Sequence, residues 1–496
     1  MKKIKISFFR FSFLFFANIL LFSCSNFGDM NIDPNRVTSA DPQLLLTNVI
    51  WSMFNDIDQD PLYATRVLVQ SDGESSLVYY KWNRGSFAAY NKLRDITKMR
   101  EEAQKKESTG HEALALFFRS VYFYNLTLTF GDVPYSEALK GETDNIYSPK
   151  YDSQEYIFKN ILEELKTAND MLQSTSDIIQ GDIIYGGNPN KWQKAVNSFR
   201  LKVLMTLSKK ESSIPTLKSD FAGIYNNQPL ISSNSDNMQV VYIDKQGNRY
   251  PLFNDSGFGS GKYMDSTFVA LMATRKDPRL ITFVTQTKNS QDQGLPLNDY
   301  SSYDGGDPIK PYANVNEKAV RGDISKPHPR FYESPTNEPN VFIGYTETEL
   351  IIAEAIVRGW IAGDAKTHYD NAIRASFDFY NTYVPGFEEY LNLAEADKYI
   401  NSPFVDFTKA KSVEEKLELI MIQEYISTYF QNSWSAFYNY LRTGYPLFRM
   451  ADGVTMPTRW MYPQSEYNNN AKNVQDAISP QFGGEETIRN DVWWLK

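Results

Sequence analysis

Cysteine is all but missing from this chain. Cys24 is the single one among 496 residues. One thiol makes no internal disulfide and no multi-thiolate zinc site, so stability must come from a hydrophobic core, which a chain of this size can build. Histidine is nearly as scarce: His111, His328 and His368 lie far apart in sequence. Beyond the N-terminus no run reaches the roughly 18–20 apolar residues that a membrane-spanning helix needs. An excess of positive charge is also absent. Lys and Arg number 51 against 60 Asp and Glu, for a formal charge of −9. So acidic a chain suits neither nucleic acid nor an anionic membrane surface as its main partner.

The lone cysteine sits at an informative place. Lys2, Lys3, Lys5 and Arg10 precede FSFLFFANILLF (11–22), which is apolar apart from Ser12 and Asn18. Basic residues, a short apolar run and a small residue, in that order, read as a secretory signal peptide over 1–23. Leu21-Phe22-Ser23-Cys24 resembles a bacterial lipobox, although Phe22 is bulkier than usual at its position. The expectation is cleavage before Cys24 and lipidation of its thiol, which would tie the protein to a membrane. Residues 24–40 then read as a tether and 41–496 as a single domain.

The domain reads as helical. Asp41-Pro42 fits a helix start, with proline at the first helical position. HEALALFFRSVYFYNLTLTF (111–130) is apolar on nearly all sides and is expected to be buried. Residues 153–172 carry the stripe Ile157, Ile161, Leu165, Ala168, Leu172. Further helices are expected at 190–210, 348–360, 365–380 and 412–430, the last opened by a Ser412/Glu415 capping box. Ala353, Ala365 and Ala372, with Tyr369 and a turn at Gly363-Asp364, follow the small-residue spacing of a tetratricopeptide helix hairpin, but Phe377 replaces the usual proline. Residues 225–262 and 288–346 are rich in Asn, Asp, Gly, Pro, Ser and Tyr and read as long loops, with short strands such as MQVVYI (238–243). Val492-Trp493-Trp494-Leu495 is expected to dock on the core. The fold class is therefore all-α, with tetratricopeptide-like helix hairpins, long irregular loops and a few short β-hairpins.

Motifs for catalysis or metal binding fall short. HEALA (111–115) has Ala115 where a zinc-protease helix needs its second histidine. SGFGSGKY (256–263) has Ser256 and Tyr263 where a phosphate loop needs Gly and Ser or Thr, and Lys262 where the dinucleotide pattern needs Gly. Asp56, Asp58 and Asp60 alternate like a calcium loop, but Pro61 and Val67 occupy its Gly and Glu positions; the run from Asp29 fails likewise at Pro34. No cofactor, catalytic residue or metal ligand set is expected. A glycoside hydrolase would still need only two carboxylates brought together by the fold.

What the sequence has in quantity is aromatic residues, at 15%. Many tyrosines lie in polar, loop-like stretches. Tyr and Trp offer a flat apolar face and a hydrogen-bonding edge, which suits a sugar ring with its C–H face and hydroxyl rim. The candidate ligand-binding residues are Tyr79, Tyr80, Trp82, Asn83 and Arg84 in LVYYKWNRGSFAAY (77–90), Tyr250 and Asn254 in NRYPLFND (248–255), and Tyr300 and Tyr303 in NDYSSYDGG (298–306). Trp82 is the favoured one: Trp82→Ala is expected to weaken glycan binding at nearly unchanged melting temperature. The competing role for each of these aromatics is packing under its own loop.

Longer words recur through the chain: FGDMNIDPN (27–35), FFRSVYFYNLTLTFGDVPYSEAL (117–139), GDIIYGGNPNKWQKAVNSFRLKVL (181–204), ELIIAEAIVRGWIAGDAKTHYDNAI (349–373), YLRTGYPLF (440–448) and PTRWMYPQSEYNNN (457–470). In number and order they resemble the SusD/RagB family of Bacteroidetes outer-membrane lipoproteins. The resemblance implies a helical scaffold with tetratricopeptide-like hairpins and a ligand site on irregular loops. It implies a non-enzymatic role: capture of oligosaccharides, or in some members peptides, at the outer face of the outer membrane. It also implies a partner, a SusC-like TonB-dependent transporter. The family's ligand residues follow no fixed motif, so none is carried over.

Overall fold

The computed structural model describes residues 40–431 and 434–496. The expected signal peptide, Cys24 and almost all of the tether lie outside the described residues. Pro42–Lys496 is one compact unit.

Its first half is a succession of packed helices: α1 (Pro42–Phe54), α2 (Ala89–Lys105), α3 (Thr109–Phe130), α4 (Gln154–Ser174) and α5 (Pro189–Thr206). Each packs on the next through the series, and α3 also touches α1. Local chemistry sets the ends. The Ser153 hydroxyl accepts from the Tyr156 N–H at the start of α4, and the Asn188 side chain accepts from Asn190 and Lys191 ahead of Pro189 in α5. At the end of α3 the chain turns at Gly131, φ 91°, where a Cβ would sit 2.5 Å from the Gln481 side chain. As the sequence predicts, α3 is buried round most of its circumference. Arg119 on it is covered by Glu164 and by the ring of Tyr135. Its open stripe is Tyr122, Asn125 and Thr129, three and four residues apart on one face.

The second half adds α6 (Ser266–Thr274), α7 (Tyr345–Val357), α8 (Ala365–Tyr383), α9 (Val413–Ser427) and α10 (Ser435–Thr443). α7 and α8 form the expected hairpin, with the Asp364 carboxylate accepting from Lys366 N–H at the start of α8. Ala353 and Ala372 are fully buried in a separate small core with Leu350, Tyr369, Ile373, Phe377 and Ile420. Short side chains at those two positions let the helices approach closely. The Ser412/Glu415 capping box of α9 is present. At the C-terminus, Val492 and Trp494 are fully buried and Leu495 nearly so.

The four short strands, β1 (Leu68–Gln70), β2 (Met238–Val240), β3 (Lys262–Met264) and β4 (Asn340–Ile343), pair antiparallel as β1 with β3 and β2 with β4. Their partners are distant in sequence rather than the two arms of a local turn. Helices also occur where none was expected. Tyr312–Val320 lies in the 288–346 stretch and buries only Val315, so it carries no apolar stripe to read. Ala471–Phe482 buries Val474, Ala477 and Ile478 in spite of Pro480 inside it. α2 does carry the stripe Leu93, Ile96, Met99, Ala103 but was not among the helices expected.

Several charges are buried in pairs. Arg279 clasps Asp277 through Nε and Nη2 at 3.0 and 2.6 Å, and reaches Ser376 on α8 and Gln423 on α9. A salt bridge this buried organises the packing of three segments more than it stabilises them. Asp265 is different. Its Oδ1 accepts from the Thr267 N–H and caps α6, but its Oδ2 is buried without a partner. Burial raises the carboxyl to about 7, with Arg66 and the Thr267 hydrogen bonds pulling the other way. A carboxyl raised above its unfolded value holds its proton in the folded state, so folding stability is full below pH ~4 and falls as pH rises toward 7. Asp265→Asn keeps the capping oxygen and removes the titration. Urea unfolding of both proteins at pH 4.5 and 8 tests this: the variant gains stability relative to wild type at pH 8, with little difference at pH 4.5.

Candidate functional site

The open stripe of α3 forms one wall of a cleft of about 560 Å³. That volume falls in the range of small-molecule sites. Met53, Phe54, Asp56 and Asp58 contribute from the end of α1 and the following loop, Ala88, Ala89 and Lys92 from the start of α2, and Tyr122, Asn125 and Thr129 from α3. Phe199 and Lys202 on α5, Asn340 and Phe342 on β4, and Trp434, Ser435 and Tyr438 at the start of α10 complete it.

Trp434 is the best-placed platform. It precedes the first turn of α10 and is half-buried. Its indole Nε1–H donates to Asp58 Oδ2 at 2.9 Å. Trp460 meets it edge to face, 4.9 Å between centroids at 88°, and Phe437 does the same at 5.3 Å. The ring is thus fixed from its edge and its back. Tyr122 is also half-buried in the cleft, and burial pushes its phenol up to about 12, with a hydrogen bond to Ser52 opposing. The Tyr438 hydroxyl lies 3.1 Å from that of Thr129.

The polar groups differ in how far they are committed. Asp58 accepts from Trp434 with one oxygen and from the Asp60 backbone N–H at 3.0 Å with the other. Burial raises its carboxyl above the usual range, and the neighbouring Asp56 adds to that. Lys202, at the inner end, pairs with Glu347 at 2.7 Å and donates to Ser435 Oγ at 2.8 Å. Behind this pair, burial and the Glu347 charge hold the Glu424 carboxyl well above its ordinary value. Among the described residues no three His, Cys, Asp or Glu side chains gather as metal ligands.

None of the nine residues picked from the sequence lines this cleft. Trp82, the favoured one, is only 6% exposed. It stacks on Trp460 at 4.8 Å and 15°, and its Nε1–H donates to the Arg459 carbonyl. It is core, packed behind Trp460, which in turn backs Trp434. Tyr80 is fully buried, with its hydroxyl on the Ala64 carbonyl and the Arg66 guanidinium 4.1 Å over its ring. Tyr250 and Tyr303 are buried too, the latter donating to the Leu297 carbonyl. These four therefore present no ring face to a ligand: a polar neighbourhood in sequence did not place them outside. Tyr79 is half-buried on the Lys310 carbonyl, and Tyr300 is half-buried against the core. Asn83, Arg84 and Asn254 are exposed, but Arg84 is engaged by Glu486, the Tyr462 carbonyl and the Tyr467 ring. The residues that sequence reasoning missed had faint signals. Asp56 and Asp58 stood out only as a failed calcium loop. Trp434 follows polar residues in the gap between α9 and α10.

These features define a class: a helical protein with an aromatic, hydrogen-bonding cleft of small-molecule size held on a rigid scaffold. Comparison with known proteins narrows the class. Residues 34–463 match the SusD-like family model described as starch-binding and associating with the outer membrane. The chain belongs to that family. A solved Bacteroides vulgatus outer membrane protein described in connection with nutrient binding is 51% identical, with a TM-score of 0.89, covering 92% of this chain and 100% of that one. A SusD homologue from Bacteroides fragilis is 48% identical over the same shares, with a TM-score of 0.88. A chitin-binding SusD homologue from Flavobacterium johnsoniae shares the fold at 20% identity, with a TM-score of 0.68 over 91% of this chain and 97% of that one. Among curated proteins, none matches. No described helix is long and apolar enough to cross a membrane.

The packing of Trp82 reverses the expectation from its sequence context. Trp82→Ala empties space against Trp460, Phe437 and Tyr80, and should cost about 3–5 kcal/mol of stability, as buried Trp truncations do. Trp434→Ala, at a half-buried helix start, should cost much less. Thermal melts of the two variants check this ordering.

Proposed function

We propose that the protein captures oligosaccharides in this cleft and passes them to a SusC-like TonB-dependent transporter. The observation that carries the reading is Trp434 held by Asp58 and Trp460 beside Tyr122 and Tyr438, over a floor of hydrogen-bonding groups. Aromatic faces meet the C–H side of a sugar ring, and Asn125, Asp56, Lys92 and Lys202 meet its hydroxyls. Family membership supports carbohydrate as the cargo, and a SusD homologue described as chitin-binding shares the fold.

The role is binding without turnover. The carboxylates among the described lining residues are Asp56 and Asp58, which come from one loop two residues apart. Both Asp58 oxygens already accept hydrogen bonds. Hydrolysis of a glycosidic bond calls for two carboxyl groups flanking that bond. Lipidation at Cys24 would keep the domain on the outer membrane, facing outward, where the cleft meets its ligand before the transporter does.

The test is calorimetric titration of the protein starting after Cys24 with maltohexaose, N-acetylchitohexaose, xylohexaose and a mixed peptide pool. Binding of at least one hexasaccharide, weakened about 30-fold by Trp434→Ala, is the expected result, as for truncation of a central aromatic anchor. Binding of peptides alone would move the protein to the peptide-capturing reading. Release of shorter sugars during incubation would make it a hydrolase.

A further inference from the structure

Lys202 is a charged cleft residue that is rigidly built in. Its side chain is 14% exposed, yet the ammonium is fixed from two sides by Glu347 on α7 and Ser435 on α10. An ammonium has three N–H bonds, and these two partners use two of them. The residue lines the 560 Å³ cleft and also a small inner cavity that it shares with Tyr124, Glu347, Glu354, Glu424 and Arg442. It therefore stands between the ligand cleft and a polar inner cavity, and among the described residues its third N–H has no partner.

Building on the cleft reading above, we infer that Lys202 is a specificity-determining contact that donates its third N–H to an oxygen of an uncharged sugar. Two features select against an acidic ligand. Glu347 neutralises the Lys202 charge at 2.7 Å, so the site offers a strong donor without net positive charge. Asp56 and Asp58 line the same cleft, where a uronate or sulfate group would meet like charge. A hydroxyl, ring oxygen or acetamido carbonyl meets no such repulsion. The donor costs little to order on binding, because α5, α7 and α10 already hold it, and preorganisation of this kind favours affinity. Ser435 directly follows Trp434, so the fixed donor and the aromatic platform belong to one helix start and keep a set spacing.

Lys202→Met alone strands Glu347 in a buried position and endangers folding. The informative variant is Lys202→Met with Glu347→Met, which removes both charges and keeps the volume. It is compared with Trp434→Ala and wild type by thermal melting and by titration with maltohexaose, N-acetylchitohexaose and an oligogalacturonate hexamer. The expected result is a folded double variant whose affinity for the neutral hexamer that wild type binds is at least tenfold lower, with no oligogalacturonate binding by either. Wild-type affinity in the double variant, with binding lost in Trp434→Ala, would overturn the role of Lys202 and leave the cleft reading standing. Oligogalacturonate binding tighter than that of the neutral hexamers would overturn the selection against acidic sugars. Unchanged binding in Trp434→Ala and the double variant alike, or no binding by wild type of maltohexaose, N-acetylchitohexaose or xylohexaose, would overturn both readings. Lys202→Arg retains the ion pair with Glu347 and displaces the donor; a folded Arg variant with wild-type affinity would also count against the inference.

Discussion

The arrangement depends on a helix with almost no polar face. α3 carries Leu, Phe, Val and Tyr around most of its surface, and water penalises every uncovered part of it. α2, α4 and α5 pack against it for that reason, and α1 touches it as well. Along its C-terminal half the stripe of Tyr122, Asn125 and Thr129 escapes full cover. The cleft is the gap left there in the wrapping. The same burial that stabilises the domain thus fixes where a ligand can reach it.

Around that gap the protein places rigid groups. Trp434 is held by Asp58 at its edge and Trp460 at its side, while Trp82 lies behind Trp460 as a second layer. Lys202 is held by Glu347 and Ser435. Both sets join segments far apart in the chain: the loop after α1 meets the start of α10, and residues 82–85 pair with 459–461. A site assembled this way loses little freedom on binding, which suits the capture proposed above. On the proposed reading, specificity comes from the balance of charges in the cleft and from a few fixed donors.

Much of the scaffold was legible because its signals are local. The stripe from Ile157 to Leu172, the Ser412/Glu415 box and the alanine spacing of α7 and α8 each act within a few turns of helix, and each appears as read. Tyr312–Val320 was illegible because it buries a single side chain and so carries no periodic pattern. The candidate site was hardly legible at all. Trp82 and Trp434 both sit in polar surroundings in sequence, yet one is core and the other faces the cleft.

By itself the sequence determined the helical class, the ends of most long helices, the close helix pair and the family words, because these follow from hydrophobic period, capping chemistry and short-range packing. Only the tertiary structure decided which aromatic residues meet solvent. Exposure of Trp434 and burial of Trp82 turn on Arg459 and Trp460, nearly the length of the chain away from Trp82, and no pattern within a few residues of either tryptophan encodes that contact.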